Sequence, residues 1–212
     1  MQCFCGSKRT FQQCCEPFIQ GEQLAKSPEQ LMRSRFSAYC RQQIDYIFQT
    51  YHPSQQVNNS KQDIANFAKT CHFIKLEVIT CTGQTELPDA SALKTLKAQA
   101  DCSGNLAKSE FQAGFVEFVV TYIQAGKLHQ FSEVSRFLPI LSSAIIAETN
   151  APAFEMPVDG QNVDATTLQH WQWRYIDGVL SSRPSKSIGR NDSCPCGSGK
   201  KFKQCNAHQS AH

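Results

Sequence analysis

The spacing of apolar residues changes period once along this chain. From Leu31 to Tyr39 it is helical: at about 100° per residue, Leu31, Met32, Phe36, Ala38 and Tyr39 fall on one face. Ser27-Pro28-Glu29-Gln30 supplies an N-cap serine, a proline at the first helical position and a glutamine at the third, so the helix opens there and runs to about Cys40. A second helical segment, about Ile44 to Tyr51, must stop before Pro53. Beyond it, the runs Cys71 to Cys81, Glu110 to Gln124, Lys127 to Leu138 and His170 to Asp177 are rich in β-branched and aromatic residues. Ala125-Gly126 makes a tight turn between the two longest. Helices followed by an antiparallel sheet give an α+β class. Two stretches break the pattern: Pro88 to Ser109 is alanine-rich and reads as a short surface helix in an insertion, and Ser142 to Thr167 holds an acidic, proline-bearing loop.

The same periodicities pick out polar residues where apolar ones belong. Arg35 sits in the middle of the apolar helix face. A guanidinium there must be paired, with Asp45, Glu117 or Glu133 as partners, or must line a polar cavity, because an unpaired buried charge is expensive. Alternation from Lys127 to Phe137 puts His129, Phe131, Glu133, Ser135 and Phe137 on one face of a strand. His129 and Glu133 are thereby candidates for a general acid-base pair, with Arg35 as a third candidate group. The bland alternative is a structural histidine and an internal salt bridge.

At 212 residues, 41% hydrophobic and a formal charge of +3, the chain fits one globular domain with appendages. So small a charge gives no ground for specific DNA binding. The longest apolar stretch, around Pro139 to Ala147, is too short to span a bilayer.

Eleven cysteines change the picture. Seven of them fall in one pattern written twice: Cys3-Phe4-Cys5-Gly6-Ser7, with Cys14-Cys15 following, aligns without a gap on Cys194-Pro195-Cys196-Gly197-Ser198, with Cys205 following. Cys-x-Cys, eight residues, then Cys gathers soft thiolates in a span too short for a core of its own, which is the arithmetic of a zinc knuckle. Gly6, Gly197 and Gly199 let the turn take positive φ, and Lys8, Arg9, Lys200, Lys201 and Lys203 offset thiolate charge. Cys3 leaves no room for an export signal ahead of it, so a reducing cytoplasm and zinc are expected rather than disulfides. Cys40, Cys71, Cys81 and Cys102 lack metal spacing.

Each end resembles a SEC-C motif, the zinc-binding element at the C-terminus of the translocase ATPase SecA. The middle resembles the YchJ family in Leu31-Met32-Arg33-Ser34-Arg35-Phe36-Ser37-Ala38-Tyr39, Tyr51-His52-Pro53, Ser135-Arg136-Phe137 and Trp173-Arg174-Tyr175-Ile176-Asp177-Gly178. That resemblance implies a nuclear-transport-factor-2-like cone, a curved antiparallel sheet wrapped against helices, and implies no activity. The SEC-C pattern ends in two adjacent ligands, which Cys14-Cys15 supplies. At the other end Asn206 occupies that place; His208 completes a Cys₃His site if the chain turns tightly, the alternatives being water, His212 or no fourth ligand.

The expected organisation is a zinc knuckle over residues 1–22, an α+β domain over 23–180, and a polar tether with a second knuckle over 181–212. Two zinc ions are expected, on Cys3, Cys5, Cys14 and Cys15, and on Cys194, Cys196, Cys205 and His208. The expected role is an adaptor whose knuckles dock on a protein or ribonucleoprotein partner. The alternative is a small enzyme or ligand-binding protein using the cone, with His129, Glu133 and Arg35 in its pocket.

Overall fold

The computed structural model describes residues 1–83, 113–141 and 171–205. Both insertions, Cys102, His170, Asn206, His208 and His212 lie outside the described residues. The elements run α1 (Glu16–Ile19), α2 (Pro28–Cys40), α3 (Ile44–Gln49), α4 (Pro53–Gln56), α5 (Lys61–Thr70), β1 (His72–Gly83), β2 (Gly114–Gln124), β3 (Lys127–Leu141), β4 (Trp171–Ser182) and β5 (Lys186–Ser187), with a 3₁₀ turn at Phe202–Gln204. The α+β class is as the periodicity indicates.

The expected start of α2 is present: the Ser27 side chain accepts from the Gln30 amide at 3.2 Å. The return bond of a capping box goes one residue earlier than usual, from the Lys26 amide to Gln30 Oε1 at 2.8 Å. Three helices were not anticipated, the short α1 after the first knuckle, α4 and α5. Pro53 does end the preceding segment, yet it also opens α4 as its first residue. α5 is capped by Ser60, which accepts from the Asp63 amide, and buries Ile64 and Ala68.

The sheet is antiparallel in the order β1-β2-β3-β4, with β5 added on β3. Ala125 and Gly126, at φ 48° and 72°, form the two-residue turn between β2 and β3. Register shifts in β1, between Phe73 and Lys75 and between Val78 and Thr80, interrupt the ladder as bulges do, and bulges bend and twist a strand. The tether expected from Ser181 to Ser187 is not loose. Its first two residues finish β4, Arg183 bonds Gln130 through backbone and side chain, and Lys186–Ser187 pairs with β3.

The main core joins Leu31, Met32 and Phe36 of α2 to Phe73, Leu76, Val116, Phe118, Val120, Phe137 and Trp173 of the sheet. Cys3, Cys5, Phe11, Cys14 and Cys15 belong to the same cluster. The N-terminal knuckle is therefore part of the core and not an appendage. A second cluster, Ala38, Ile47, Tyr51 and Ile64, packs α2 against α3 and α5.

Gly178 of β4 faces Ser135 of β3, beside the buried Glu133 side chain. A methyl group on Gly178 would lie 2.7 Å from Glu133 Cδ and 2.8 Å from Cγ. Gly178→Ala should destabilise the protein by roughly 1–3 kcal/mol, the usual cost of overpacking. In urea denaturation, Glu133→Ala combined with Gly178→Ala should recover part of that loss, since it removes the atoms in conflict.

Candidate metal centres and the polar core

Both knuckles fold by one set of local bonds. The Cys3 amide donates to Arg9 O at 2.8 Å, and the Cys194 amide to Lys200 O at 2.8 Å. Gly6 and Gly197 both sit at φ 76°, and their amides turn back to the carbonyls of Cys3 and Cys194. Short bridges Gln2↔Thr10 and Ser193↔Lys201 close the loops. Cys5 and Cys14 sulfurs are 3.5 Å apart, and Cys196 and Cys205 are 3.6 Å apart.

Cys3, Cys5, Cys14 and Cys15 hold their four sulfurs within 4.8 Å of one another, as Cys194, Cys196 and Cys205 hold three. A tetrahedron with 2.3 Å metal–sulfur arms has edges of about 3.8 Å, so the spacing fits a soft divalent ion. Electrostatics point the same way. In the first cluster Cys3 is held down at about 3, chiefly because Cys15 and then Cys5 donate to its thiolate, while Cys15 is pushed far up by the same contacts. Four buried thiols share little negative charge by themselves; a divalent cation allows all to ionise. Cys194 is likewise raised to about 12, first by burial.

Serines that the sequence reading passed over support both sites. Ser7 Oγ lies 3.0 Å from Cys14 Sγ, and its counterpart Ser198 donates to Cys205 Sγ at 3.5 Å. The gapless alignment carried this signal, because Ser7 and Ser198 are matched within the repeat. Arg9 donates to Cys14 Sγ at 3.5 Å, as a charge-offsetting residue should. A stripe of α2 also holds the first knuckle: Arg33 donates to Cys5 O at 2.7 Å, and Ser37 Oγ lies 3.6 Å from Cys3 Sγ. The guanidinium of Arg41, just past the helix, covers the Phe11 ring at 4.9 Å. Residues 33, 37 and 41 recur at helical spacing, but no apolar pattern marks them.

The surroundings of the two sites differ. All four N-terminal cysteines are buried in the main core, whereas Cys194 and Cys205 lie outside both core clusters and Cys196 is half-buried. The backbone bonds that shape the second knuckle close within residues 189–205.

The polar groups of the cone assemble differently from the expectation. Arg35 forms no ion pair with Asp45, Glu117 or Glu133. Asp45 bonds Lys61, and Arg35 instead donates to Ile47 O at 2.8 Å and Thr50 Oγ1 at 2.6 Å. Its guanidinium lies over the rings of Tyr51 and Tyr175, at 4.4 and 4.8 Å, so aromatic faces take the place of a carboxylate. Glu133 accepts from Ser135 Oγ and from Tyr175 OH, at 3.0 Å for the latter. Burial and the nearby Glu133 carboxylate push the Tyr175 hydroxyl well above its ordinary value, keeping it a donor. His129 shares the strand face but stacks on Tyr122 at 5.0 Å, and the structure does not bring it to Glu133.

A curved sheet against helices, with thiol clusters at both ends, defines a protein with a nuclear-transport-factor-2-like middle domain and SEC-C-type cysteine motifs. The family model described as YchJ, middle NTF2-like domain, matches residues 27–99, and the SEC-C motif model matches residues 190–205. UPF0225 proteins from strains of Vibrio cholerae serotype O1 are 32% identical over 205 residues, covering 97% of this chain and 99% of the relative. The chain belongs to the UPF0225 family. Among solved structures, a SEC-C motif-containing protein from Psychrobacter arcticus superposes with a TM-score of 0.52 at 24% identity, over 96% of this chain and 93% of that one. One from Rhodopseudomonas palustris gives 0.53 at 22%, over 84% and 98%. These two support the fold.

Lys8 stands at φ 62°, where the second copy has Gly199 at φ 72°. A side chain in this left-handed region costs about 1 kcal/mol. Lys8→Gly should therefore raise stability by up to about 1 kcal/mol in denaturant titration, and Gly199→Lys should make the second site surrender its metal to a chelator sooner.

Proposed function

We propose that this chain is a two-zinc adaptor of the reducing cytoplasm, whose C-terminal knuckle docks on a negatively charged surface of a protein or ribonucleoprotein. One observation carries this reading: the two knuckles share their internal bonds but not their surroundings. Zinc on Cys3, Cys5, Cys14 and Cys15 serves the stability of the body, so residues 1–22 act with 23–180 as one unit. Zinc on Cys194, Cys196 and Cys205, with His208 as the proposed fourth ligand, shapes a peripheral element at the end of the 181–212 segment.

The docking element is basic. Lys186, Arg190, Lys200, Lys201 and Lys203 stand against Asp192 alone between residues 186 and 205. A zinc ion with three thiolates absorbs only part of that charge, and the remainder steers acidic partners. No helix among the described residues is long and apolar enough to cross a membrane. Enzyme chemistry through His129 and Glu133 receives no support, because His129 stacks on Tyr122 while Glu133 accepts from Ser135 and Tyr175.

Metal analysis of protein purified without chelator should give two zinc ions per chain. Cys5→Ser should cost the whole body several kcal/mol, in line with the large folding contribution of structural zinc. Cys196→Ser should leave the main thermal transition within about 0.5 kcal/mol of wild type. Deleting Ile188 to His212 should abolish capture of macromolecular partners at low salt while the remaining chain melts cooperatively. Retention of every partner by that truncated chain would refute docking through the C-terminal knuckle, and absence of zinc would refute the metal assignment independently.

A further inference from the structure

A groove of about 330 Å³ opens between the segment after α1, the helices α2 and α3, and the start of β4. That is the lower end of the range for small-molecule sites. Arg174, Gln172 and Gln49 give it a polar side, and Phe18, Leu24 and Trp173 an apolar one. No aspartate or glutamate lines it.

Arg174 is the unusual member. It donates to Gln172 Oε1 and, at 3.0 Å, to the Trp173 carbonyl, both neutral acceptors. Among the described residues it forms no ion pair. Burial, and to a lesser extent the neighbouring Arg35, work against its charge and draw it down to about 10, which still leaves it cationic at neutral pH. Thr50 lines the groove and also accepts from Arg35, so a second cation without an ion pair stands behind the groove wall. A half-buried guanidinium without an anion is still costly, though less than a fully buried one. The groove supplies the space in which an anion would relieve it.

We infer that this groove binds a small organic monocarboxylate, with Arg174 pairing its carboxylate, the glutamine side chains donating to it, and Phe18 and Leu24 covering its hydrocarbon body. One guanidinium at the wall, flanked by neutral amides, matches a single planar charge. The apolar side gives no role to a bare inorganic anion. The inference is independent of the zinc sites.

Benzoate is a suitable probe, with benzamide as its uncharged counterpart. Trp173 is the only remaining indole in full-length, zinc-loaded Trp171→Phe protein, since the chain has 2 tryptophans. Benzoate should change its fluorescence saturably at millimolar concentrations, and benzamide should not. Arg174→Gln should weaken benzoate binding roughly tenfold or more, as loss of a charge-assisted bond does. Arg174→Lys should retain part of the affinity, and inorganic phosphate should compete poorly. Equal binding of benzamide, unchanged affinity in Arg174→Gln, absence of saturation, or displacement of benzoate by less phosphate than benzoate would each overturn the assignment. If Arg174→Gln fails to fold, Gln49→Leu provides the same test: weakened benzoate binding supports the groove and unchanged binding overturns it.

Discussion

Four cysteine sulfurs held within 4.8 Å of one another inside the main core are the constraint on which the rest of the body depends. Unliganded, they crowd ionisable groups into a site that has lost most of its water, and their contacts drive Cys3 and Cys15 in opposite directions. A divalent cation resolves this by letting the thiolates share one positive centre. The consequence passes along α2. Arg33 and Ser37 reach the knuckle from one side of the helix, while Leu31, Met32 and Phe36 carry its packing to the sheet. The position of Arg35, and through Tyr175 that of Glu133, is then fixed by the same helix.

Duplication of the knuckle separates what the motif encodes from what its surroundings add. The turn, the bridge, the paired sulfurs and the serine contact recur in both copies, so they follow from the local pattern. Burial against α2 occurs in the first copy, where Phe4 and Phe11 stack edge to face at 6.3 Å and Arg41 covers Phe11. The second copy has Pro195 in place of Phe4, and it has Gly199 where the first strains Lys8 into positive φ. A knuckle outside the core clusters needs local geometry that closes without help, and glycine at that position supplies it.

Elements with strong period or punctuation were legible in the sequence. Ser27-Pro28 located α2, Ala125-Gly126 located the hairpin, and the alternation from Lys127 to Phe137 grouped on one face Glu133, Ser135 and Phe137, which are buried. α5 was missed although Ser60 and Asp63 form a start signal, because its apolar face is short and the helix lies between the asparagine-bearing turn after α4 and the start of β1. The tether was misjudged because polarity and a proline say nothing about pairing to an exposed stretch of strand. Partners of Arg35 were also beyond the sequence. A helical wheel shows that a charge is buried, but aromatic faces and a backbone carbonyl leave no compositional mark as acceptors.

The charge pattern of the body has one further consequence. Arg35 works against the charge of Arg174, yet Glu133, the buried carboxylate among the described residues, is engaged by Tyr175 and Ser135. A core selected only for stability would do better with apolar side chains of similar volume at these positions, since replacing buried ions is often neutral or stabilising. Aromatic rings and a carbonyl satisfy Arg35 within the fold. Arg174 has only neutral acceptors and an open groove beside it. The cation that stability alone does not explain is thus the one beside an open groove, where an external anion can reach it.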